Sequence, residues 1–236
     1  MTTITQRSQA ILSQIENAVF TAGRPSECVT LVAVSKTHAA PSLRKAYLAG
    51  LTDFGESYLQ EALDKMQQLA DLPIVWHFIG PIQSNKTRPI AESFSWVHGV
   101  DRLKIAQRLA ESRPPHLPPL NVCLQVNISG EATKAGCTAD ELPALAHAVN
   151  SIPGLRLRGL MAIPEPTTDV TKQRQNFKLL AQLMETLNQR VLNHPGLGMD
   201  TLSMGMSGDF VSAIMEGSTM VRIGTAIFGQ RHAYSR

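Results

Sequence analysis

Lys36 lies just beyond a short apolar run in this 236-residue chain, LVAV at residues 31–34, with one serine between them. Alternation along a strand would place Val32, Val34 and Lys36 on the same side. If that side faces a protein interior, desolvation lowers the pKa of the amine and makes it a nucleophile for carbonyl groups. The alternative is a lysine that only extends its ammonium group from a strand end into solvent.

Two stretches near the end of the chain combine a short strand with glycine and hydroxyl residues, LSMGMSGDF at 202–210 and VRIGTAIFG at 221–229. In α/β barrels the loops after strands seven and eight often bind phosphate through backbone N–H groups. Two ordinary turns are the alternative, since Gly and Ser are common in turns. The residues that we predict to contact a phosphate are Ser203, Ser207, Gly224 and Thr225.

A reactive amine beside a phosphate site is compatible with two kinds of ligand. One is a sugar phosphate held as a Schiff base, as in a class I aldolase, and the other is pyridoxal 5′-phosphate (PLP). Arg222 favours PLP, because it shares a strand face with Gly224 and its guanidinium can donate to the pyridine nitrogen. A phosphate clamp or a surface salt bridge is the alternative role for this arginine.

The order of predicted elements indicates how these residues are positioned. Strand-like runs alternate with helical patterns along the chain, after a first helix at residues 4–22, and Ser207 is the predicted N-cap of the helix that follows it. Eight strands alternating with helices predict a single (β/α)₈ TIM barrel, with residues 1–236 as one domain. A doubly wound sheet is less favoured, because SKTHAAP after the first strand lacks the glycine-rich turn of that fold. The predicted strands are 29–35, 53–55, 75–79, 96–98, 120–128, 155–163, 199–204 and 220–223.

Composition restricts the function classes. The 22 Lys and Arg exceed the 19 Asp and Glu by only 3, and no basic run carries interleaved aromatics, so we expect no nucleic-acid partner. We find no signal peptide and no membrane-length apolar run, and therefore expect a cytoplasmic protein without a membrane partner. Three cysteines without CxxC spacing predict reduced thiols, and the histidines show no metal-ligand spacing, so no metal is predicted.

Six motifs in register resemble one family over nearly the whole chain. They are VAVSKT, FGESYLQEA, WHFIGPIQSNK, LRGLMAI, LSMGMS and VRIGTAIFG. The chain is similar to the pyridoxal phosphate homeostasis proteins, relatives of the N-terminal barrel of bacterial alanine racemase. The resemblance implies a barrel that holds PLP as a Schiff base on Lys36, with Arg222 facing the ring nitrogen. It also implies a role in intracellular PLP homeostasis, as a carrier or buffer, with PLP-dependent apo-enzymes as partners. We expect a monomer, because a lone barrel needs no partner domain.

The chain departs from the family pattern at three positions near the expected site. Ser57 replaces an asparagine that lies near the cofactor in relatives, so one polar contact differs. His38 stands where many relatives have lysine. Lys134 falls in a segment where relatives carry a second lysine associated with PLP exchange.

His77, in WHFIG, shares a face with Val75 and Ile79 and is a further candidate for the cofactor site, or else a packed core histidine.

The resemblance implies a protein without established catalysis, and we predict no catalytic residue. Racemases of this barrel type add a catalytic tyrosine from a second domain, which we expect to be absent because the sequence ends at Arg236. None of Tyr47, Tyr58 and Tyr234 is an evident replacement. The alternative hypotheses are a PLP-dependent racemase or lyase of low activity, the aldolase-type enzyme, and a purely structural or RNA-binding role.

Overall fold

The structure is a computed structural model that describes residues 2–129, 135–190 and 198–230. Eight strands alternate with helices in these ranges. The strands are β1 Thr30–Val34, β2 Asp53–Glu56, β3 Val75–Phe78, β4 Trp96–Val100, β5 Leu120–Gln125, β6 Leu155–Met161, β7 Thr201–Ser203 and β8 Met220–Ile223. The helices are α1 Ile4–Thr21, α2 Ala40–Leu48, α3 Leu59–Gln68, α4 Thr87–Ser93, α5 Leu103–Glu111, α6 Leu142–Asn150, α7 Val170–Arg190, α8 Phe210–Met215 and α9 Thr225–Phe228, with a 3₁₀ turn Ser84–Lys86 before α4.

The strands are parallel and close into a barrel in chain order, because β1 pairs with β8 as well as with β2. The predicted TIM barrel is therefore confirmed, and every predicted strand overlaps an observed one. In the register of the barrel, Val32 of β1 lies beside Asp53 on one side and Arg222 on the other. Barrel closure thus makes neighbours of β1, which leads to Lys36, and β8, which carries Arg222.

The core has two shells, because successive residues of each strand point to opposite faces of the sheet. The shell between strands and helices contains large apolar side chains such as Phe54, which is fully buried. A buried side chain of this kind contributes about 1.5–3 kcal/mol to folding. Inside the barrel the apolar cluster is small, and polar side chains occupy much of the remaining space, as described below. The apolar cluster inside the barrel is Val32, Trp96, Cys123, Met161 and Met220.

The helix ends follow local signals in most places. Thr3 caps α1 through a reciprocal pair of hydrogen bonds with Gln6. Gly50 and Gly217 follow α2 and α8 with φ of +97° and +95°, which is the conformation that ends many helices. The prediction that Ser207 caps the next helix is wrong. That helix, α8, begins at Phe210, and its N-cap is Asp209. Ser207 lies instead inside the turn 206–209, which the Asp209 carboxylate closes by accepting the Met206 N–H at 2.6 Å.

Three further features concern membrane-spanning helices, metal-binding clusters and cysteines. Within the described ranges, no helix is both long and apolar enough to cross a bilayer. The same part of the chain contains no group of three or more His, Cys, Asp or Glu side chains arranged to hold a metal ion. All three cysteines are free thiols.

Candidate functional site

A cavity of about 250 Å³ lies at the carboxyl ends of the barrel strands. Its walls come from residues that end or follow β1, β2, β3, β6, β7 and β8, which is where barrel proteins place their ligand sites. Six of the eight predicted cofactor-binding residues line it, namely Lys36, Ser57, Ser207, Arg222, Gly224 and Thr225. The other two, Ser203 and His77, are fully buried and are not part of this lining.

Lys36 enters the cavity from the end of β1. It lies two residues beyond the last residue of the strand, and its side chain is half-buried. Val34 and Lys36 both line the cavity, whereas the intervening Ser35 donates its hydroxyl to Glu56 Oε1 at 2.6 Å, on the outer side of the sheet. The alternation inferred for residues 32, 34 and 36 therefore matches the placement of this lysine.

Ser207 belongs to a tight turn after β7. Gly205, at the start of this segment, has φ of +97°, and a Cβ there would lie 2.7 Å from the Cβ of Ala213. The bond between Asp209 and the Met206 N–H then closes residues 206–209. Ser207 and Gly208 are left at the cavity, so a hydroxyl and an open stretch of backbone face it.

Gly224 and Thr225, which follow β8, line another part of the cavity. Gly224 is the N-cap of the four-residue helix α9, and a Cβ at this position would lie 3.1 Å from the carbonyl oxygen of Val34. The first N–H groups of a helix have no partner inside the helix, so they can donate to an anion. Phe228 of α9 stacks on His38 with ring centroids 5.0 Å apart, which connects the helix to the loop that carries Lys36.

Arg222 reaches the cavity from inside the barrel, where it is only 4% exposed. One terminal nitrogen, Nη1, donates to both the carbonyl and the hydroxyl oxygen of Ser203 at 2.6 Å, and Nη2 donates to the Ala162 carbonyl at 3.0 Å. These bonds fix the plane of the guanidinium and use three of its five N–H donors. Burial lowers the pKa of Arg222 to about 10, so the side chain is still cationic at neutral pH.

A chain of hydrogen bonds connects Arg222 to Asp53 through the barrel interior. Ser203 Oγ is 2.8 Å from His98 Nδ1, and His98 Nε2 is 3.0 Å from His77 Nδ1. His77 Nε2 is in turn 3.0 Å from Asp53 Oδ1 at the start of β2. We refer to these five residues, Arg222, Ser203, His98, His77 and Asp53, as the polar relay.

The two ends of the polar relay set the direction of its hydrogen bonds. A guanidinium only donates, and a carboxylate only accepts. Ser203 therefore accepts from Arg222 and donates to His98, His98 donates to His77, and His77 donates to Asp53. Each imidazole then carries one proton, on Nε2. Burial lowers the pKa of His77. Burial also lowers the pKa of His98 well below its ordinary value, and the nearby His77 and Arg222 add to this shift. Both shifts agree with two neutral rings.

The neutral relay predicts that acid destabilises the protein. Because both pKa values are lowered in the folded chain, the unfolded chain binds more protons at these histidines below pH about 6.5, so the free energy of unfolding falls as pH falls. The limiting slope is about 1.4 kcal/mol per pH unit for each histidine. Urea unfolding between pH 7.5 and 5.5 measures this slope, and the His98→Asn variant is expected to reduce it. The exposed His116→Asn variant is the control, and a stability that is constant or increases on acidification contradicts the assignment.

The sequence did not predict two residues of the polar relay, His98 and Asp53. His98 was not singled out, although it shares a face of β4 with Trp96, which packs inside the barrel. Asp53 was not predicted as a site residue, because an acidic residue at the start of a strand is typical of the protein surface. His77 faces the barrel interior but belongs to the polar relay, below the cavity that Ile79 lines. Lys134 lies outside the described residues.

Comparison with known proteins gives consistent matches over the whole chain. The family described as "Alanine racemase, N-terminal domain" matches residues 8–232. The pyridoxal phosphate homeostasis protein of Pseudomonas aeruginosa is 61% identical over 231 residues, which cover 98% of this chain and 97% of that protein. The protein of the same name from Vibrio alginolyticus is 52% identical over 235 residues, covering 98% and 99% of the two chains.

A solved structure of similar architecture comes from Synechococcus elongatus. This protein, PipY, has been solved both with PLP bound and without it. It is 35% identical to this chain and superposes with a TM-score of 0.83, covering 96% of this chain and 100% of PipY.

Proposed function

This chain belongs to the family of the pyridoxal phosphate homeostasis proteins, and from that premise we propose that it binds PLP as a Schiff base on Lys36 and acts in PLP homeostasis. In this role the protein carries or buffers the cofactor without catalysing a reaction of its own. The relatives that support the proposal are named for homeostasis, and PipY has been solved with PLP bound.

The observation that carries the proposal is the set of groups around one cavity. PLP has three distinct functional parts, an aldehyde, a phosphate and a pyridine nitrogen. Lys36 supplies an amine for the aldehyde, and Arg222 supplies a fixed donor for the nitrogen. Ser207, Gly224 and Thr225 supply hydroxyl and backbone donors for the phosphate, in the position that barrels commonly use. The residues present therefore fit this cofactor.

The covalent step that we propose is a condensation. The Lys36 amine, in its unprotonated form, would attack the aldehyde carbon, and a C=N bond would replace the C=O bond. The aldehyde oxygen would leave as water together with the two amine protons. The reaction needs no oxidant or other reactant, and water reverses it. This reversibility supports a buffering role, and PLP-dependent apo-enzymes are the recipients that we propose for the released cofactor.

Arg222 supports a role without catalysis. Bound PLP withdraws electrons from amino acids best when its ring nitrogen is protonated. A guanidinium that is cationic at neutral pH donates to that nitrogen and thereby disfavours its protonation. In addition, the described residues that line the cavity include no tyrosine. Incubation with a panel of L- and D-amino acids is therefore expected to give no catalytic turnover, and sustained turnover would contradict this part of the proposal.

Titration with PLP tests the proposed function directly. The visible absorption of PLP is expected to change on binding until about one equivalent has been added, and borohydride should fix about one pyridoxyl group per chain. Pyridoxine 5′-phosphate, which has an alcohol in place of the aldehyde, is the control, because it can occupy the cavity but cannot condense. A protein that leaves the absorption of PLP unchanged overturns the proposal.

A further inference from the structure

The two residues that flank Lys36 are both held from the outer side of the barrel. Ser35 donates its hydroxyl to Glu56 Oε1 at 2.6 Å, and its carbonyl oxygen accepts from Lys65 Nζ at 2.8 Å. Thr37 donates its backbone N–H to Glu61 Oε1 at 2.6 Å. Glu56, Glu61 and Lys65 therefore bind the backbone or side chain on both sides of Lys36, and we refer to these three residues as the clamp.

Lys65 is the centre of the clamp. It is only 4% exposed, and its ammonium group also donates to Glu56 Oε1 at 2.7 Å and to Glu61 Oε1 at 2.5 Å. Together with the bond to the Ser35 carbonyl, these contacts use all three of its N–H donors. A buried charge is costly unless it is paired, so these three bonds favour this position of the ammonium group.

The clamp also holds an unusual backbone conformation. Thr37 has φ of +69°, in the left-handed region that a β-branched residue rarely adopts. This conformation costs free energy relative to an ordinary one, because the Cβ lies close to the following carbonyl oxygen. The bond from Thr37 N–H to Glu61 compensates for that cost, because it requires the peptide group to point toward α3. Lys36 immediately precedes this peptide group, so its Cα is fixed by the same bond.

The clamp and the cavity lie on opposite sides of the sheet. Glu56 shares a strand face with Phe54, which packs in the outer shell. A Cβ at the intervening Gly55 would instead lie 2.9 Å from Val32, inside the barrel. The clamp thus leaves the cavity side to Lys36. None of the three clamp residues lines the cavity, so any effect that they have on ligand binding acts through the position of Lys36.

We propose that Glu56, Glu61 and Lys65 are positioning residues, which hold Lys36 so that its amine meets the aldehyde of PLP. This inference rests on the proposed function, because it assigns a purpose to the position of one amine. It predicts that substitutions in the clamp weaken the covalent binding of PLP. The non-covalent binding of the phosphate and the ring should stay unchanged.

The Glu61→Ala variant provides the test. It removes the acceptor for Thr37 N–H and one of the three acceptors of the Lys65 ammonium group. The Glu61 side chain is 26% exposed, so water can replace that acceptor, and Glu56 and Lys65 remain an ion pair; the variant is therefore expected to fold. The Glu61→Gln variant keeps an oxygen acceptor and is the matched control. We expect Glu61→Ala to raise the dissociation constant for PLP about tenfold or more, the effect of losing one hydrogen bond to a charged group. We expect an unchanged constant for pyridoxine 5′-phosphate, and Glu61→Gln should be close to the unsubstituted protein for both compounds.

Hydrogen exchange of the cofactor-free protein gives a readout that does not involve PLP. The Thr37 amide is expected to exchange about tenfold faster or more in Glu61→Ala and to stay protected in Glu61→Gln. If Glu61→Ala loses its native circular dichroism, Ser35→Ala, which removes only the hydroxyl bond to Glu56, replaces it in the same comparison with a smaller expected effect.

The outcomes separate the two proposals. Equal weakening of PLP and pyridoxine 5′-phosphate, or unchanged PLP binding in a folded Glu61→Ala variant, overturns the positioning role alone. An unsubstituted protein that binds neither compound overturns the proposed function, and the positioning role with it.

Discussion

The Lys36→Ala variant is expected to fix no PLP when it is treated with borohydride, whereas the unsubstituted protein fixes about one equivalent. The reason is geometric. Lys36 lines the same cavity as the hydroxyl and glycine residues of the predicted phosphate site. The measurement is the mass of the intact chain after reduction, together with the absorption spectrum before it.

The control for this prediction is Lys104→Ala, which removes an exposed lysine on α5. That variant should fix as much PLP as the unsubstituted protein. Lys36→Ala should still bind PLP and pyridoxine 5′-phosphate with similar, weak affinities, because the phosphate and ring contacts remain. A Lys36→Ala variant that keeps a reducible PLP adduct would show that another amine forms the bond.

The Gly159→Ala variant is expected to lose about 4 kcal/mol or more of folding free energy, or to fail to fold. Gly159 pairs with Thr201 where β6 meets β7. A Cβ at residue 159 would overlap the Thr201 carbonyl oxygen and lie 2.6 Å from its carbonyl carbon. The two strands would have to separate, and the separation would displace Ser203 and the turn that carries Ser207.

Urea unfolding measures this effect, with Gly208→Ala as the control. A Cβ at residue 208 would meet no atom within 4 Å, so this change should alter the free energy of unfolding by no more than about 0.5 kcal/mol. If Gly159→Ala unfolds at the same urea concentration as the unsubstituted protein, the close approach of β6 and β7 is not as the structure shows it.

The architecture could be predicted because strand and helix periodicity is a local property of the sequence. Residue alternation placed Lys36 and Arg222 on the cavity side correctly, since period-2 alternation depends only on neighbours along one strand. Ser207 shows the limit of this reasoning. Its type suits an N-cap, but it lies inside a turn that the Asp209 carboxylate closes by accepting the Met206 N–H, and α8 begins only after Asp209.

The polar relay depends on contacts between distant parts of the chain, which periodicity does not specify. Ser203 was predicted to contact phosphate, yet it is fully buried and holds the Arg222 guanidinium. Its role toward a cofactor would therefore act through Arg222. His77 lies similarly below the cavity, and its partners His98 and Asp53 come from other strands.

The clamp was also not predictable, because Lys65 and Glu61 are four residues apart on a helix. That spacing is typical of a solvent-exposed ion pair. In the structure the same pair turns toward β1 and β2, where Glu56 and Ser35 complete its bonds. Burial raises the pKa of the Glu56 carboxyl, and Lys65 and Ser35 oppose this shift. Only the packing of α3 on the barrel reveals that these charges surround the residues next to Lys36.

The central claim is that the Lys36 amine and the phosphate-binding turns hold the two ends of one PLP molecule. A crystal structure of the protein with PLP tests it most directly. We expect continuous density from Lys36 Nζ to the former aldehyde carbon, the phosphate beside Ser207, Gly224 and Thr225, and the ring nitrogen facing Arg222. Density that places the phosphate elsewhere, or a Lys36 side chain directed away from the bound PLP, would contradict the account.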